Sequence, residues 1–409
     1  MERLNAALVA DVESLRAEGR AKAPERVITG YIAPAGGRGP RYRLEGRDQE
    51  YIRMNSNSYL SLSHEPRMLH VADEAAVEFG VGPGAVRFID GTFRHHVSLE
   101  RRVAKFMGKP AAKIFNSAYT SNLGLALAVQ NKQTFWIGDA LNHNCIIRAM
   151  RISGVPSDHK AIYKHNDIND LGRCLESIPD GIERVIVIFD GIFSMRGDVA
   201  PLAEINKAVE PYRDRFKDGL ITVVDDSHGI GAFGSTGRGT IDHADAPADV
   251  IVGTFGKAFG VNGGFVAGSP ELIEAIRQKS DTYIYTNPLS VADCAAAEVA
   301  LDITDSAEGL KRLKHLHARI AQFRSGIAAL GLESIDGPHP VVPLLVRDTA
   351  KCQKMVRDFF EHGVLVVGLA FPVVPKGDDT IRFQINAAHT EQDIDEVLQI
   401  LDQISQESG

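Results

Sequence analysis

Four cysteines, Cys145, Cys174, Cys294 and Cys352, are scattered through 409 residues. They are too few for a disulfide scaffold and suit a reducing compartment. None forms a CxxC pair, which argues against a zinc ribbon or a thioredoxin-type motif. Basic residues are not in surplus: Lys+Arg 45 against Asp+Glu 53 gives a net charge of -8. A chain of that sign has no global attraction for phosphate backbones or anionic lipid, so nucleic acid and membrane are not expected partners. The longest apolar stretch, around Val364 to Val374, is too short to span a bilayer. The start, Met1-Glu2-Arg3-Leu4, lacks the apolar region of a signal peptide, and a cytoplasmic location is expected. Internal repeats and low-complexity tracts are absent as well. What remains is ordinary globular usage, 44% hydrophobic and 24% charged, in a chain long enough for two or three folding units.

The apolar pattern opens with Leu4, Leu8, Val12 and Leu15 at helical spacing, an amphipathic arm expected to pack on something. A Gly/Pro-rich loop, Ala33 to Pro40, and a strand-like piece, Tyr51 to Met54, follow. Beyond residue 65 short β-rich runs recur at Lys113–Phe115, Thr134–Ile137, Val185–Phe189, Ile221–Val224 and Val250–Val252. Helix-length segments such as His143–Ile152 and Leu202–Phe216 separate several of them. Continuous apolar strands alternating with helices predict a parallel sheet covered on both faces. The runs near 250 and 264, joined by a glycine-rich turn, could form an antiparallel pair. After Pro288 the pattern is helical to about Leu330, then gives strands near Val341–Val346, Val364–Leu369 and Thr380–Ile385. The expected division is an N-terminal arm and strand segment over 1–60, a large domain over 61–290 and a small α+β domain over 291–409.

Within this frame a few residues stand out. Lys257 lies in Gly253-Thr254-Phe255-Gly256-Lys257-Ala258-Phe259-Gly260, just after an apolar strand. The GxxxxGK[ST] spacing of a Walker A loop is absent. The segment reads either as a solvated loop or as a Schiff-base lysine, whose amine must be partly desolvated to lose its proton. Val224-Asp225-Asp226-Ser227-His228-Gly229 places acids at a strand's carboxyl end, where open α/β sheets bind ligands. A metal site, a structural turn, or a carboxylate that keeps a pyridine nitrogen protonated would each explain it. The segment Phe115 to Gly124 runs from strand into helix through small and hydroxyl residues, which suits an N-cap or a phosphate cradle, with Thr254 as a further hydroxyl. His143, in Asp139-Ala140-Leu141-Asn142-His143, reads as a cap or as an aromatic face against a ring. Arg382, in a β-run, reads as a rim charge or as a fork for a carboxylate.

Together these segments resemble the α-oxoamine synthases, and among them the glycine C-acetyltransferase branch. The likeness continues through Val86-Arg87-Phe88-Ile89-Asp90-Gly91-Thr92, Asp190-Gly191-Ile192-Phe193-Ser194-Met195, Phe371-Pro372-Val373-Val374-Pro375-Lys376-Gly377 and Ala387-Ala388-His389-Thr390, in the same order. The resemblance implies the aspartate aminotransferase fold (fold type I), a mainly parallel sheet in a large domain followed by a smaller α+β domain. It implies pyridoxal 5'-phosphate as cofactor and condensation of a small amino acid with an acyl-CoA. Lys257 would bond to the cofactor, Asp225 would pair with its pyridine nitrogen, and His228 and Ser194 would contact its phenolic oxygen. His143 would stack on the ring. The backbone of Ala118 and Tyr119, and the Thr254 hydroxyl, would hold the phosphate, which Thr286 would reach from a neighbouring subunit. Arg382 and Asn57 would contact the amino acid, in a homodimer with shared active sites and no metal.

Glycine with acetyl-CoA is the first expectation, with alanine or serine and a longer acyl thioester as the alternative. That alternative corresponds to 8-amino-7-oxononanoate synthase or serine palmitoyltransferase. Ser58, Ala85, Val261-Asn262 and Pro288 depart from the glycine C-acetyltransferase pattern. They bear on substrate choice and leave the cofactor residues untouched. An aminotransferase or decarboxylase, and a non-catalytic partner subunit, are further readings; the latter typically lacks the lysine that is present here.

Overall fold

The computed structural model describes residues 1–18, 20–369, 374 and 377–407. Most of the resembling segment Phe371–Gly377 therefore lies outside the described residues. The chain divides into two compact units, residues 57–316 and residues 1–56 with 317–409. This differs from the three-part division read from the sequence, for two physical reasons. Residues 291–316 stay with the large unit because the helix Val291–Thr304 packs on the helices Pro66–Phe79 and Arg94–Phe106. The N-terminal segment joins the C-terminal one because the strand Glu50–Arg53 pairs in parallel with Val364–Leu365.

The large unit is built on a seven-stranded sheet. In spatial order its strands are Ala111–Phe115, Gly264–Gly268, Val250–Thr254, Leu220–Asp225, Arg184–Asp190, Thr134–Asp139 and Lys160–Tyr163. Five of them pair in parallel, from Val250–Thr254 through to the edge strand Lys160–Tyr163. Gly264–Gly268 runs antiparallel to both neighbours, so the pair expected near 250 and 264 is present. Val185, Ile186, Val187, Val223, Val224, Ile251 and Val252 are buried, as strands covered on both faces require. The sequence pattern did not show Lys160–Tyr163, an edge strand with only Tyr163 buried. The helix expected over Leu202–Phe216 ends at Val209 and continues as a tighter turn, Glu210–Arg215. Pro211, which cannot donate a backbone hydrogen bond, lies at that change.

The other unit holds two small sheets. One orders the strands Ile28–Ile32, Arg41–Leu44, Glu50–Arg53 and Val364–Leu365. The second places Thr380–Gln384 between Val341–Leu345 and Val367–Leu369, all antiparallel. The run Val364–Leu369, read as one strand, is thus shared between two sheets. Phe383 anchors this unit's core between Phe323 and Phe359, with ring centroids 4.9 and 5.4 Å away. The N-terminal helix, Glu2–Ala17, has no buried residue, so the packing expected for its apolar stripe is not seen among the described residues. No helix among the described residues is long and apolar enough to cross a membrane.

Candidate active site

Parallel strands present their carboxyl ends along one edge of the sheet. Here four neighbouring strands end, in spatial order, in Thr254, Asp225, Asp190 and Asp139. Asp190 and Asp225 are directly in register. The sequence reading singled out Asp225 as the functional acid.

Asp225 is buried, and both its oxygens are held. Oδ1 accepts from the Ser227 hydroxyl at 2.5 Å and the Ser227 N–H at 3.1 Å. Oδ2 accepts from Asn122 Nδ2 at 2.6 Å, with Cys145 Sγ 3.7 Å away. Asn122 also donates to the Ala118 carbonyl at 3.1 Å, which ties the acid to the first turn of the helix Ala118–Val129. Asp226, adjacent in sequence, turns elsewhere. Its carboxylate accepts from the Thr240 N–H at 2.6 Å and hydroxyl at 2.8 Å. A Cβ on Gly191, Gly229 or Gly239 would collide with it. Burial raises the Asp226 pKa to about 6. The two acids therefore do not converge on one ligand, and no cluster of three metal-binding side chains occurs among the described residues.

His143 caps the helix Asn144–Ile152. Its N–H donates to Asp190 Oδ2 at 2.6 Å, and Nδ1 accepts from the Cys145 N–H at 3.3 Å with Cys145 Sγ at 2.9 Å. Burial lowers its pKa, the Asp225 charge opposes that, and the Lys257 charge adds to it. The imidazole is therefore neutral near pH 7, a polarisable flat face rather than a cation. Asp190 is driven well above the usual carboxylate range by burial and by Asp225. Burial likewise pushes the Cys145 thiol far up, so it is an inert hydrogen-bonding group.

Lys257 is half-buried, in the turn between Val250–Thr254 and Gly264–Gly268. The turn is closed by Gly260 N–H to the Lys257 carbonyl at 3.0 Å, and by Phe255 N–H to the Gly263 carbonyl at 2.9 Å. Thr254 Oγ1 donates to the Gly263 carbonyl at 2.9 Å and accepts from the Gly256 N–H at 3.0 Å. The Lys257 charge also acts on Asp190 and Cys145, so the lysine faces the same acids as His143.

The helix Ala118–Val129 begins at the same sheet edge. Its cap Ser117 takes the Thr120 N–H on its side chain at 3.2 Å and the Ser121 N–H on its carbonyl at 3.0 Å. Ala118 and Tyr119 occupy the first two helical positions, whose N–H groups have no partner within a helix. Gly264 approaches this turn so closely that a Cβ there would collide with the Ala118 nitrogen. Ser194 and His228 follow the strands ending in Asp190 and Asp225. Tyr59 Oη is 2.8 Å from His228 Nδ1 and donates to Asn57 Oδ1 at 3.3 Å. Thr286 is exposed, its hydroxyl donating to the Thr282 carbonyl at 2.6 Å. Arg382 belongs to the other unit, where it is half-buried in the middle strand of the three-stranded sheet.

Asn122, Tyr59, Cys145 and Asp190 contact the candidate site residues and were not assigned by the sequence reading. A half-buried lysine, a buried carboxylate, a neutral histidine and a helix amino end fit a flat, phosphorylated, carbonyl-bearing heteroaromatic group.

A family model described as aminotransferase class I and II matches residues 49–401. The 8-amino-7-oxononanoate synthase of Thermoanaerobacter pseudethanolicus is 37% identical over 371 residues, 90% of this chain and 91% of that protein. The same enzyme from Thermosipho melanesiensis is 36% identical over 363 residues, 88% of this chain and 90% of that protein. A solved serine palmitoyltransferase from S. paucimobilis, with bound pyridoxal phosphate and myriocin, matches with a TM-score of 0.86 at 25% identity over 98% of both chains. The chain belongs to the aminotransferase class I and II family, of fold type I, and within it to the pyridoxal-phosphate-dependent acyltransferases known as α-oxoamine synthases.

Proposed function

We propose that the protein condenses alanine with a long acyl thioester that ends in a carboxylate, the chemistry of an 8-amino-7-oxononanoate synthase. The similarity to enzymes of that name over about nine-tenths of the chain carries the reading. Their product's name specifies the substrates. It places an amino group next to a terminal methyl, a ketone on the next carbon and a carboxylate at the far end. Breaking the bond between the amino carbon and the ketone carbon gives alanine without its carboxyl group, and a seven-carbon acyl group with a distal carboxylate.

Bound pyridoxal phosphate supplies the electron sink for the pair left on Cα when its proton departs. Lys257 would hold the cofactor, and its Nζ would take the Cα proton. Asp225 would keep the ring nitrogen protonated, and Asn122 and Ser227 hold Asp225 in place by their hydrogen bonds. His143 would lie against the ring, and His228 and Ser194 would contact its phenolic oxygen. The Ala118 and Tyr119 amides and Thr254 would hold the phosphate, joined in a homodimer by Thr286 from the second subunit. Asn57 would contact the amino acid. The new bond joins Cα to the acyl carbonyl carbon, the C–S bond breaks, the thiol leaves, and carbon dioxide is lost from the amino-acid portion.

Glycine with acetyl-CoA is the second reading, favoured by the resemblance of segments such as Val86–Thr92 and Asp190–Met195 to glycine C-acetyltransferases. One experiment separates the two: thiol release with alanine, glycine and serine, each against acetyl, carboxyl-terminated seven-carbon and palmitoyl thioesters. Release with alanine and the carboxylated donor is expected. Turnover confined to glycine and acetyl-CoA would replace the first reading with the second.

A further inference from the structure

We propose that His165 is a positioning residue of this site, a half-buried imidazolium that ties the loop carrying His143 to the loop carrying Ser194. His165 follows the edge strand Lys160–Tyr163. Its Nδ1 lies 3.0 Å from Asp139 Oδ1 and its Nε2 lies 2.9 Å from Asp198 Oδ2. Ionised carboxylates only accept hydrogen bonds, so both ring nitrogens must donate, and an imidazole that donates twice is charged.

Each acid takes further hydrogen bonds from its surroundings. Asp139 is buried at the end of its strand and accepts the Leu141 N–H at 2.8 Å and the Asn166 N–H at 2.9 Å. Asp198 accepts from Arg196 Nε at 3.0 Å. Although burial opposes it, hydrogen bonds from His165 and Arg196 hold its carboxyl below the usual range. The Phe193 ring stands edge-on to the imidazole, centroids 4.4 Å apart. The charged and titratable groups facing this cluster are therefore Asp139, Asp198 and Arg196, with Tyr163 and Asp190 beyond Asp139. Burial would lower the His165 pKa, but the bonds to the two acids raise it to about 9.

Asp139 starts the turn that leads through Asn142 to His143, whose N–H is fixed on Asp190. On the other side, the Asp198 carbonyl accepts the Phe193 N–H at 3.1 Å and closes the turn that contains Ser194. One cation thus sets the separation of two loops on the sheet edge. A raised folded-state pKa implies that its stabilisation is complete below the ordinary value near 6.5 and is lost as pH rises through about 9. The positioning role rests on the proposed cofactor contacts of His143 and Ser194, whereas the charge state does not.

The test is nitrogen NMR of the holoenzyme with ¹⁵N-labelled histidine. At about pH 8, where an ordinary histidine is neutral, one ring is expected to show the imidazolium pattern with both nitrogens protonated. It should titrate near 9, disappear in His165→Gln and titrate at least about tenfold lower in proton affinity in Asp198→Asn. In both variants the visible band of the bound cofactor and its pH dependence should shift. Turnover should fall about tenfold, with the amino-acid KM within a few-fold of the parent. A His165 ring already neutral at about pH 8 would overturn the charged clamp. Cofactor bands unchanged in both variants would overturn the positioning role while leaving the proposed reaction intact. If His165→Gln does not fold, Asp198→Asn carries both readouts.

Discussion

Tyr59 Oη lies 2.8 Å from His228 Nδ1, and the same phenol donates to Asn57 Oδ1 at 3.3 Å. A phenol has one proton. With that proton on Asn57, the phenol oxygen accepts from Nδ1–H, and the His228 tautomer is set by a residue at the start of the unit. Tyr59→Phe keeps the buried ring and removes this chain. The expected result is a loss of about 1 kcal/mol in stability and roughly tenfold in turnover. The pH dependence of the cofactor absorbance should also change. Thermal melts and an absorbance titration check this, and parental behaviour in both would remove Tyr59 from the site.

Asn122 holds Asp225 by a 2.6 Å bond from a fully buried position. Asn122→Ala strips a donor from a buried carboxylate. A cost of roughly 1.5–3 kcal/mol is expected, together with weaker retention of the cofactor during dialysis. Asn122→Asp should be worse, because it sets a second acid against Asp225. Equal cofactor retention in all three proteins would show that Asp225 does not depend on this contact.

The contrast between Asp225 and Asp226 shows what the sequence could and could not convey. Two adjacent acids after an apolar run look alike, yet successive side chains in an extended chain point to opposite sides. One faces the sheet edge and the other enters a pocket of glycines. Gly191, Gly229 and Gly239 were the available sign, but they acquire meaning only once the loops are brought together. Tyr59 and His228 are 169 residues apart, and Asn122 and Asp225 are 103 apart, so these partners had no local signature. The strands announced themselves as continuous apolar runs, and Lys257, Asp225 and His143 as polar residues directly after them. The sharing of Val364–Leu369 between two sheets had no such signal, because both short pieces carry the same apolar pattern.

Asp226 gives a pH prediction. Burial raises its pKa from 3.8 to about 6. The folded state therefore holds a proton between those values that the unfolded state has lost, and stability falls as pH rises through that window. In Asp226→Asn the amide carbonyl can still take the Thr240 N–H and its NH2 can donate to the Thr240 hydroxyl. The difference in stability between variant and parent should shift in the variant's favour by roughly 1–3 kcal/mol between about pH 4 and 7. Chemical denaturation at several pH values measures it. A pH-independent difference would mean that Asp226 does not titrate in this window.

Lys257 is expected to act through a proton it can give up. Lys257→Ala should lose turnover by about a thousandfold or more while binding the cofactor reversibly. Lys257→Arg should be equally inactive despite its charge, because a guanidinium does not deprotonate in proteins. Thiol-release assays and absorbance spectra of dialysed protein test both. Substantial turnover by the arginine variant would show that Lys257 contributes charge alone.

Gly264 links the lysine turn to the helix start. It sits in register with Thr254 on one side and Phe115 on the other, and a Cβ there would collide with the Ser117 carbonyl carbon and the Ala118 nitrogen. Those atoms are backbone, so a Gly264→Ala protein must move either its strand or its helix. Overpacking of this kind costs about 1–3 kcal/mol. The movement also displaces the Ala118 and Tyr119 amides from the lysine turn, so the variant should bind cofactor and inorganic phosphate more weakly than its loss of stability explains. Gly172 is the control, a helical glycine with nothing within 4 Å of an added Cβ. Gly172→Ala should be neutral or stabilise by about 0.5–1 kcal/mol, with cofactor affinity unchanged. If both alanine variants bind cofactor like the parent, the close approach of Gly264 to the helix does not shape the phosphate site.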